Sequence, residues 1–354
     1  MRKFIVGIFI ISNLILLSCS SPTDNVNDNI KFIQTYEYFS SKGFSLDLTN
    51  DKGYIITGYY NSGNIMLLKT DKNGNEQWCK TVGEASEAWG YCVLQTKDDG
   101  YIVAGNLTED SLYVVKTDIN GDNEWSLTID GGFAYTVIQT IDDGYLISGR
   151  LNNQACLIKI NQYGFEDWTR TFQYSNAHSV IQADEGGFVF ISGSRIVRTD
   201  ELGYEIWNNS ISGGFGTSMK QTDDGGYIIA GRVSQEYDIW LVKTDALGNR
   251  IWERSYDGNL NYDEYQSSVD ITDDGGYIVV ATKRNIIDNF RQIWLIKTNE
   301  IGIEEWNTTF GGIEENDYSV GQCVRQTADG GYILTGQINY HVCLVKTDDE
   351  GNVE

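Results

Sequence analysis

One stretch, Gln221 to Trp252, is copied along most of the chain. It reads Q-T-D-D-G-G-Y-I-I-A-G, a short variable gap, then I-W-L-V-K-T-D-A-L-G-N-R-I-W. Versions of it recur seven times from about residue 30 to the end. A chain of 354 residues could make two domains, but repeats of this kind share one core, so a single unit is expected.

Four positions mark each copy. An aromatic follows the first turn at Tyr54, Tyr101, Tyr145, Phe188, Tyr227, Tyr277 and Tyr332, and a base stands before the second at Lys69, Lys116, Lys159, Arg198, Lys243, Lys297 and Lys346. The second turn holds Gly74, Gly121, Gly164, Gly203, Gly248, Gly302 and Gly351. A tryptophan follows at Trp78, Trp125, Trp168, Trp207, Trp252 and Trp306, with Phe32 in that place at the start. The aromatics recur every 39 to 55 residues, the size of a four-stranded propeller blade. Each unit divides into four runs of strand character: A (Ser179-Val180-Ile181-Gln182 in the fourth), B (G-Y-I-I-A-G), C (W-L-V-K-T) and D, which carries the tryptophan. One proline, 38 glycines and many tyrosines and tryptophans suit short strands joined by glycine turns.

The chain begins on a D-like strand at Ile30–Tyr36 and stops before a seventh tryptophan, so the last unit lacks the strand the first has spare. Closing a ring with that strand removes open edges. The expected fold is all-β: a seven-bladed β-propeller over 30–354, four antiparallel strands per blade, closed by the N-terminal strand.

Residues 1–18 read as a signal peptide, with Arg2 and Lys3 before an apolar run from Phe4 to Leu17 that is short for a membrane span. Residues 19–29 are polar after Cys19 and read as a tether. The formal net charge is −24, and removal of the leader takes away two more positive charges. Such a chain is expected to bind neither nucleic acid nor an anionic lipid surface, both of which need a basic patch.

The A–B and C–D spacings never change, whereas all length variation falls in the B–C and D–A connections, which share one end of the sheet. One face of the disc is thus repetitive and the other variable, and variable loops on a rigid scaffold are where binding resides. From the D aromatic to the next B aromatic the interval is 20 residues in units 3 to 5 and 22 to 26 in units 6, 7, 1 and 2, which are neighbours around a ring. The longer segments and the sixth B–C connection carry Trp89, Tyr262, Asp263, Tyr265, Phe290, Arg291, Asp317 and Tyr318. This aromatic and charged crescent is the expected site for a partner, protein or glycan, with the chain a monomer.

Other motifs read as scaffold. The repeated aromatics suit blade packing, and the repeated Asp-Asp-Gly pairs suit turns. Asp118–Glu124 is shorter than a calcium loop, so an Asn-Gly hairpin explains it. With His178 and His341 the only histidines, no metal site is expected and no catalytic residue is assigned. Of the six cysteines, Cys92, Cys156, Cys323 and Cys343 read as buried apolar residues and Cys79 could pair with Cys92.

The motifs D-G-G-Y-I-x-x-G and L-V-K-T-D-x-x-G-x-x-x-W resemble those of bacterial β-propeller-repeat lipoproteins, and Leu16-Leu17-Ser18-Cys19 resembles the lipobox. The resemblance implies a lipid on Cys19 and a place in the bacterial cell envelope, anchored to the outer membrane. Asp-x-x-Gly-x-x-x-Trp is also similar to the docking motif of quinoprotein-like propellers. Their dehydrogenases use adjacent cysteines, which this chain lacks, so no cofactor is expected. The same turn resembles the Asp-box hairpins of sialidase-like enzymes, and Arg150 and Arg232 stand at equivalent ends of strand B. The alternative reading is therefore a carbohydrate-active hydrolase with its pocket at the central channel mouth.

Overall fold

The computed structural model describes residues 30–353 apart from 39, 62, 86, 212, 234–237, 258–266 and 286–288. These residues form seven four-stranded antiparallel sheets arranged as a ring. Blade 5 is representative: A is Gly214–Gln221, B Tyr227–Val233, C Ile239–Thr244 and D Arg250–Tyr256. The inner A strands of the other blades begin at Lys42, Trp89, Gly132, Ser179, Ser268 and Ser319 for blades 1, 2, 3, 4, 6 and 7. Strands B and C are apolar on both faces because each sheet packs between two others; Ile228, Ile229, Leu241 and Val242 are wholly buried. Strand D alternates because its outer side meets solvent.

The ring closes as the sequence requires. The strand Phe32–Thr35 lies antiparallel to His341–Thr347, with Phe32 opposite Lys346, and completes blade 7. Behind it Tyr36, Leu46, Ile56, Ile333 and Leu344 form one apolar cluster that joins blade 7 to blade 1. Comparable clusters fill the spaces between the other blades.

Both fixed turns are locked by a carboxylate or amide. In the A–B turn of blade 5, Asp224 accepts from Thr222 Oγ1 at 2.6 Å, Gly226 N at 2.9 Å and Lys243 Nζ at 2.8 Å. The same lysine–aspartate pair recurs as Lys69–Asp51, Lys116–Asp98, Lys159–Asp142, Lys297–Asp274 and Lys346–Asp329, at 2.7 to 3.0 Å. Blade 4 has Glu185 in that position, and its Arg198 donates instead to backbone carbonyls of the turn. In the C–D turn one oxygen of Asp245 accepts from Leu247 N and Asn249 N. Asp118 accepts in the same way from Asn120 N and Asp122 N, so the calcium-like segment is a hairpin turn. Cys79, Cys92, Cys156, Cys323 and Cys343 are all free thiols.

Candidate functional site

The seven A strands line a central channel, and its variable-face mouth widens into a cavity of about 670 Å³. Five of these strands carry a bulge near that mouth, at Gly43/Ser45, Gly90/Cys92, Ala134/Thr136, Gly216/Ser218 and Gly321/Cys323. The bulged residue is skipped by the ladder, and the extra twist turns a side chain towards the axis. The bulges thus set out Phe44, Tyr91, Tyr135, Thr217 and Gln322; His178 and Ser267 hold the same place in blades 4 and 6.

This ring has two unlike halves. Through blades 1 to 4 it is aromatic: Phe44 lies 5.2 Å from Tyr91, Tyr91 6.0 Å from Tyr135, and Tyr135 4.7 Å from His178 between ring centres. Tyr59 and Trp89 extend the aromatic wall outward, 5.9 Å apart. Through blades 5 to 7 it carries hydroxyls and an amide, from Thr217, Ser267 and Gln322. Gln322 is buried, and its Oε1 has no hydrogen-bond partner among the described residues. An unsatisfied buried amide oxygen on a cavity wall is an acceptor poised for a ligand donor or a water.

One layer deeper the same division holds. Leu94, Ile138 and Ile181 face the channel from blades 2 to 4, whereas Lys220, Asp270, Arg325 and Asp47 stand in blades 5, 6, 7 and 1. Lys220 pairs with Asp270 at 3.0 Å. Asp270 also accepts from Gln326 N, and Asp47 from Gln95 N, each at 3.0 Å, which stitches neighbouring A strands. Burial pushes the Asp47 carboxyl up, against the pull of Arg325. Burial alone holds His178 down at about 4, so it is neutral near pH 7.

Of the crescent expected from sequence, the structure brings two parts together. Trp89 sits on the rim of the cavity, 38% exposed. Tyr318 lines it from blade 7, on the far side of blade 1 from Trp89, with the Arg291 guanidinium 4.7 Å above its ring and Tyr340 stacked on it at 5.4 Å. Phe290 is half-buried beside Arg291 at the start of strand C in blade 6. Asp317 holds its own loop, its carboxylate accepting from Glu314 N and its carbonyl from Arg291 N. Tyr262, Asp263 and Tyr265 lie outside the described residues. Arg150 and Arg232 each lie over an aromatic of their own blade, Phe133 at 4.6 Å and Phe215 at 4.9 Å. Among the described residues no group of three or more His, Cys, Asp or Glu is placed to hold a metal ion.

The wall residues Phe44, Tyr59, Tyr91, Tyr135 and Gln322 were not singled out from sequence. Tyr59 is on strand B; for the others the signal was residue identity at one fixed A-strand place: rings in units 1 to 4, hydroxyls or amide in units 5 to 7.

No known protein family matches the chain, and no curated protein does. Solved structures do. The WD40 repeats of RRP9 are 7% identical, with 89% of this chain and 97% of that one covered and a TM-score of 0.64. YCF48 bound to D1 peptide is 11% identical, covering 92% and 99%, with a TM-score of 0.59. A protein of unknown function from Bacteroides caccae is 11% identical, covering 77% and 94%, with a TM-score of 0.50. At such identities the likeness is one of fold: this chain is a β-propeller.

Proposed function

We propose that the protein is an exported binding module, held on the envelope by a lipid on Cys19, that takes a partner into the variable-face mouth of its channel. The observation that carries this reading is the two-sided cavity of about 670 Å³, ringed by aromatics on one half and by hydroxyl and amide groups on the other. Its size falls in the range of ligand pockets, and its lining supplies both stacking area and a few placed polar groups. A protein segment that inserts an apolar or aromatic side chain fits this wall, as does a sugar with one ring face on the aromatics. The protein partner stands first, because YCF48, a propeller of the same fold, is seen with a peptide bound.

The depth of the cavity favours the hydrolase alternative, but its chemistry does not. A glycosidase of the common kind needs two carboxylates at a defined separation. Asp47 is the one carboxylate lining the cavity among the described residues and is engaged by Gln95 N, while Asp270 in the same layer is engaged by Lys220 and Gln326 N.

The test is capture from envelope extracts and on a glycan array, comparing wild type with a Trp89→Ala, Tyr135→Ala, Gln322→Ala variant of matched thermal stability. Ligands held by the wild type and lost by the variant support the reading. Equal capture by both would sink it. The anchor is tested separately by labelling with radioactive fatty acid, and label that survives Cys19→Ala refutes it.

A further inference from the structure

The C–D turns form a ring around the outer edge of the repetitive face, and their side chains are not repetitive. At the place before the turn glycine, blades 1, 2 and 7 carry Asn73, Asn120 and Glu350. Blades 3 to 6 carry Tyr163, Leu202, Leu247 and Ile301, each between 46 and 66% exposed. After the glycine the contrast repeats: Asn75, Asp122 and Asn352 against Phe165, Tyr204 and Ile303, with Asn249 in blade 5. Four consecutive blades thus present large apolar side chains beside the turn glycine where three others present amides and acids, although blade 2 also exposes Ile119 one place earlier in its turn. Turn chemistry does not ask for them, since the polar blades make the same turn with the same carboxylate or amide lock. Exposed apolar tips on four neighbouring blades mark a surface that something covers.

The chain's own course points to the occupant. Lys31 pairs with Asp348 of the blade 7 C–D turn at 3.3 Å, and the Phe32 ring lies against Gly74 of the blade 1 C–D turn. The described chain therefore enters the disc at Ile30 on the same face and in the same ring of turns as the apolar arc. Residues 19–29, if extended, would reach at most roughly 40 Å. A lipid on Cys19 would place that face next to the bilayer and leave the cavity facing away from it.

We propose that the hairpin tips of blades 3 to 6 dock into an electrically neutral lipid surface, resting the disc on the membrane with its channel mouth outward. Tyrosine, phenylalanine and aliphatic tips suit the interfacial zone, where amphipathic rings sit at headgroup level. Neutral lipid is specified because Glu166, Glu201, Glu205, Glu300 and Glu304 lie exposed among the same turns and repel anionic headgroups. This inference rests on the reading of Cys19 as a lipid site, but its test does not need the lipid.

The seven sheets, their closure and their apolar clusters all lie within 30–353, so the ring 30–354 alone is mixed with phosphatidylcholine vesicles and sedimented. The expected result is partition into the vesicle fraction, at least tenfold less in the variant Tyr163→Asn, Leu202→Asn, Leu247→Asn, Ile301→Asn. That variant takes the side chain that blades 1 and 2 already use, and its circular dichroism and melting should match wild type. Added phosphatidylglycerol should lower the binding. A wild-type ring that stays with the supernatant overturns the proposal, even if the acylated full chain remains membrane-bound through Cys19. Sedimentation velocity that shows a dimer abolished by the same four changes assigns the arc to a second copy and overturns it too.

Discussion

The indole of Trp252, on the outer strand of blade 5, lies flush against Gly302 in the C–D turn of blade 6. A Cβ on that glycine would stand 2.6 Å from the ring, and its φ of +73° already favours glycine. The relationship repeats around the disc, from Trp78 on Gly121 to Trp306 on Gly351, and Phe32 on Gly74 completes the circle. Trp252→Ala should cost about 3–5 kcal/mol by loss of packing. Gly302→Ala should also destabilise, because it pushes the same ring away. Since both act on one contact, the double variant should be less destabilised than the sum of the singles. Denaturant unfolding of the four proteins checks this, and strict additivity would deny the coupling.

Four residues beyond each of two such rings, a tyrosine repeats the device in polar form. Tyr36 donates to Gly74 O and Tyr256 to Gly302 O, each at 2.7 Å in a buried setting. Tyr256→Phe keeps the packing and leaves a buried carbonyl short of one donor, so it should cost about 1–2 kcal/mol. Tyr36→Phe should cost a similar amount and in addition loosen ring closure, which hydrogen exchange in His341–Thr347 would report. No change in exchange there would separate closure from this bond.

The scaffold was legible in the sequence because it repeats. Trp252, Gly302 and Lys243 recur at fixed intervals, and a fixed interval between unlike residues specifies a turn and its register. The spare strand at Phe32 was legible for the same reason, as an unpaired piece of a known unit. The channel wall was harder to read. Phe44, Tyr91, Tyr135 and Gln322 differ from blade to blade, and nothing in a single sequence shows a bulge that re-aims a side chain. Interval length drew attention to the loops, so Trp89 and Tyr318 were found while the residues between them on the wall were not. The apolar turn tips were hidden differently: Leu247 looks like core until its strand is known to have ended.

Acid should loosen the A–B turns. Burial alone would raise the Asp224 carboxyl, but hydrogen bonds from Lys243, Thr222 and Gly226 N outweigh it and hold it at about 2; Asp274 is at about 2 for the same reasons, with Lys297. Both lie below the roughly 3.9 of an unfolded aspartate. The stabilisation is thus fully present above pH 4 or so and is lost as pH falls through the folded values. The carboxylates are half-exposed, so each pair contributes modestly. Melting temperature should fall between about pH 4 and 2, and Asp224→Asn should flatten part of that slope. An unchanged slope in the variant would remove the pair from the account.

His178 works in a higher window with the same sign. Burial depresses it from 6.5 to about 4, so the unfolded chain binds its proton first as pH falls. Stability from the neutral ring is complete above 6.5 and is lost progressively down to about 4. Replacing His178 with glutamine should remove the share of the pH dependence of unfolding that lies between those values and comes from this ring, while leaving the steeper fall below pH 4. A His178→Gln protein that retains the full dependence would place its origin elsewhere.

The thiols should be silent in the folded protein. Burial pushes Cys79 and Cys92 up to about 11 and Cys156 and Cys343 up to about 12, and the thiolate is the reactive form. Cys156 and Cys343 are also wholly enclosed on strand C, opposite Gly149 and Gly336, where blades 5 and 6 place Trp240 and Trp294. A thiol-specific dye at pH 8 should therefore label the ring 30–354 slowly, and all five cysteines at once on unfolding in guanidinium. Cys79, half-buried beside Tyr38, is the residue that should react first, because its strand lies at the outer edge of blade 1. Rapid native labelling at Cys156 or Cys343 would contradict the packing of strand C between blades.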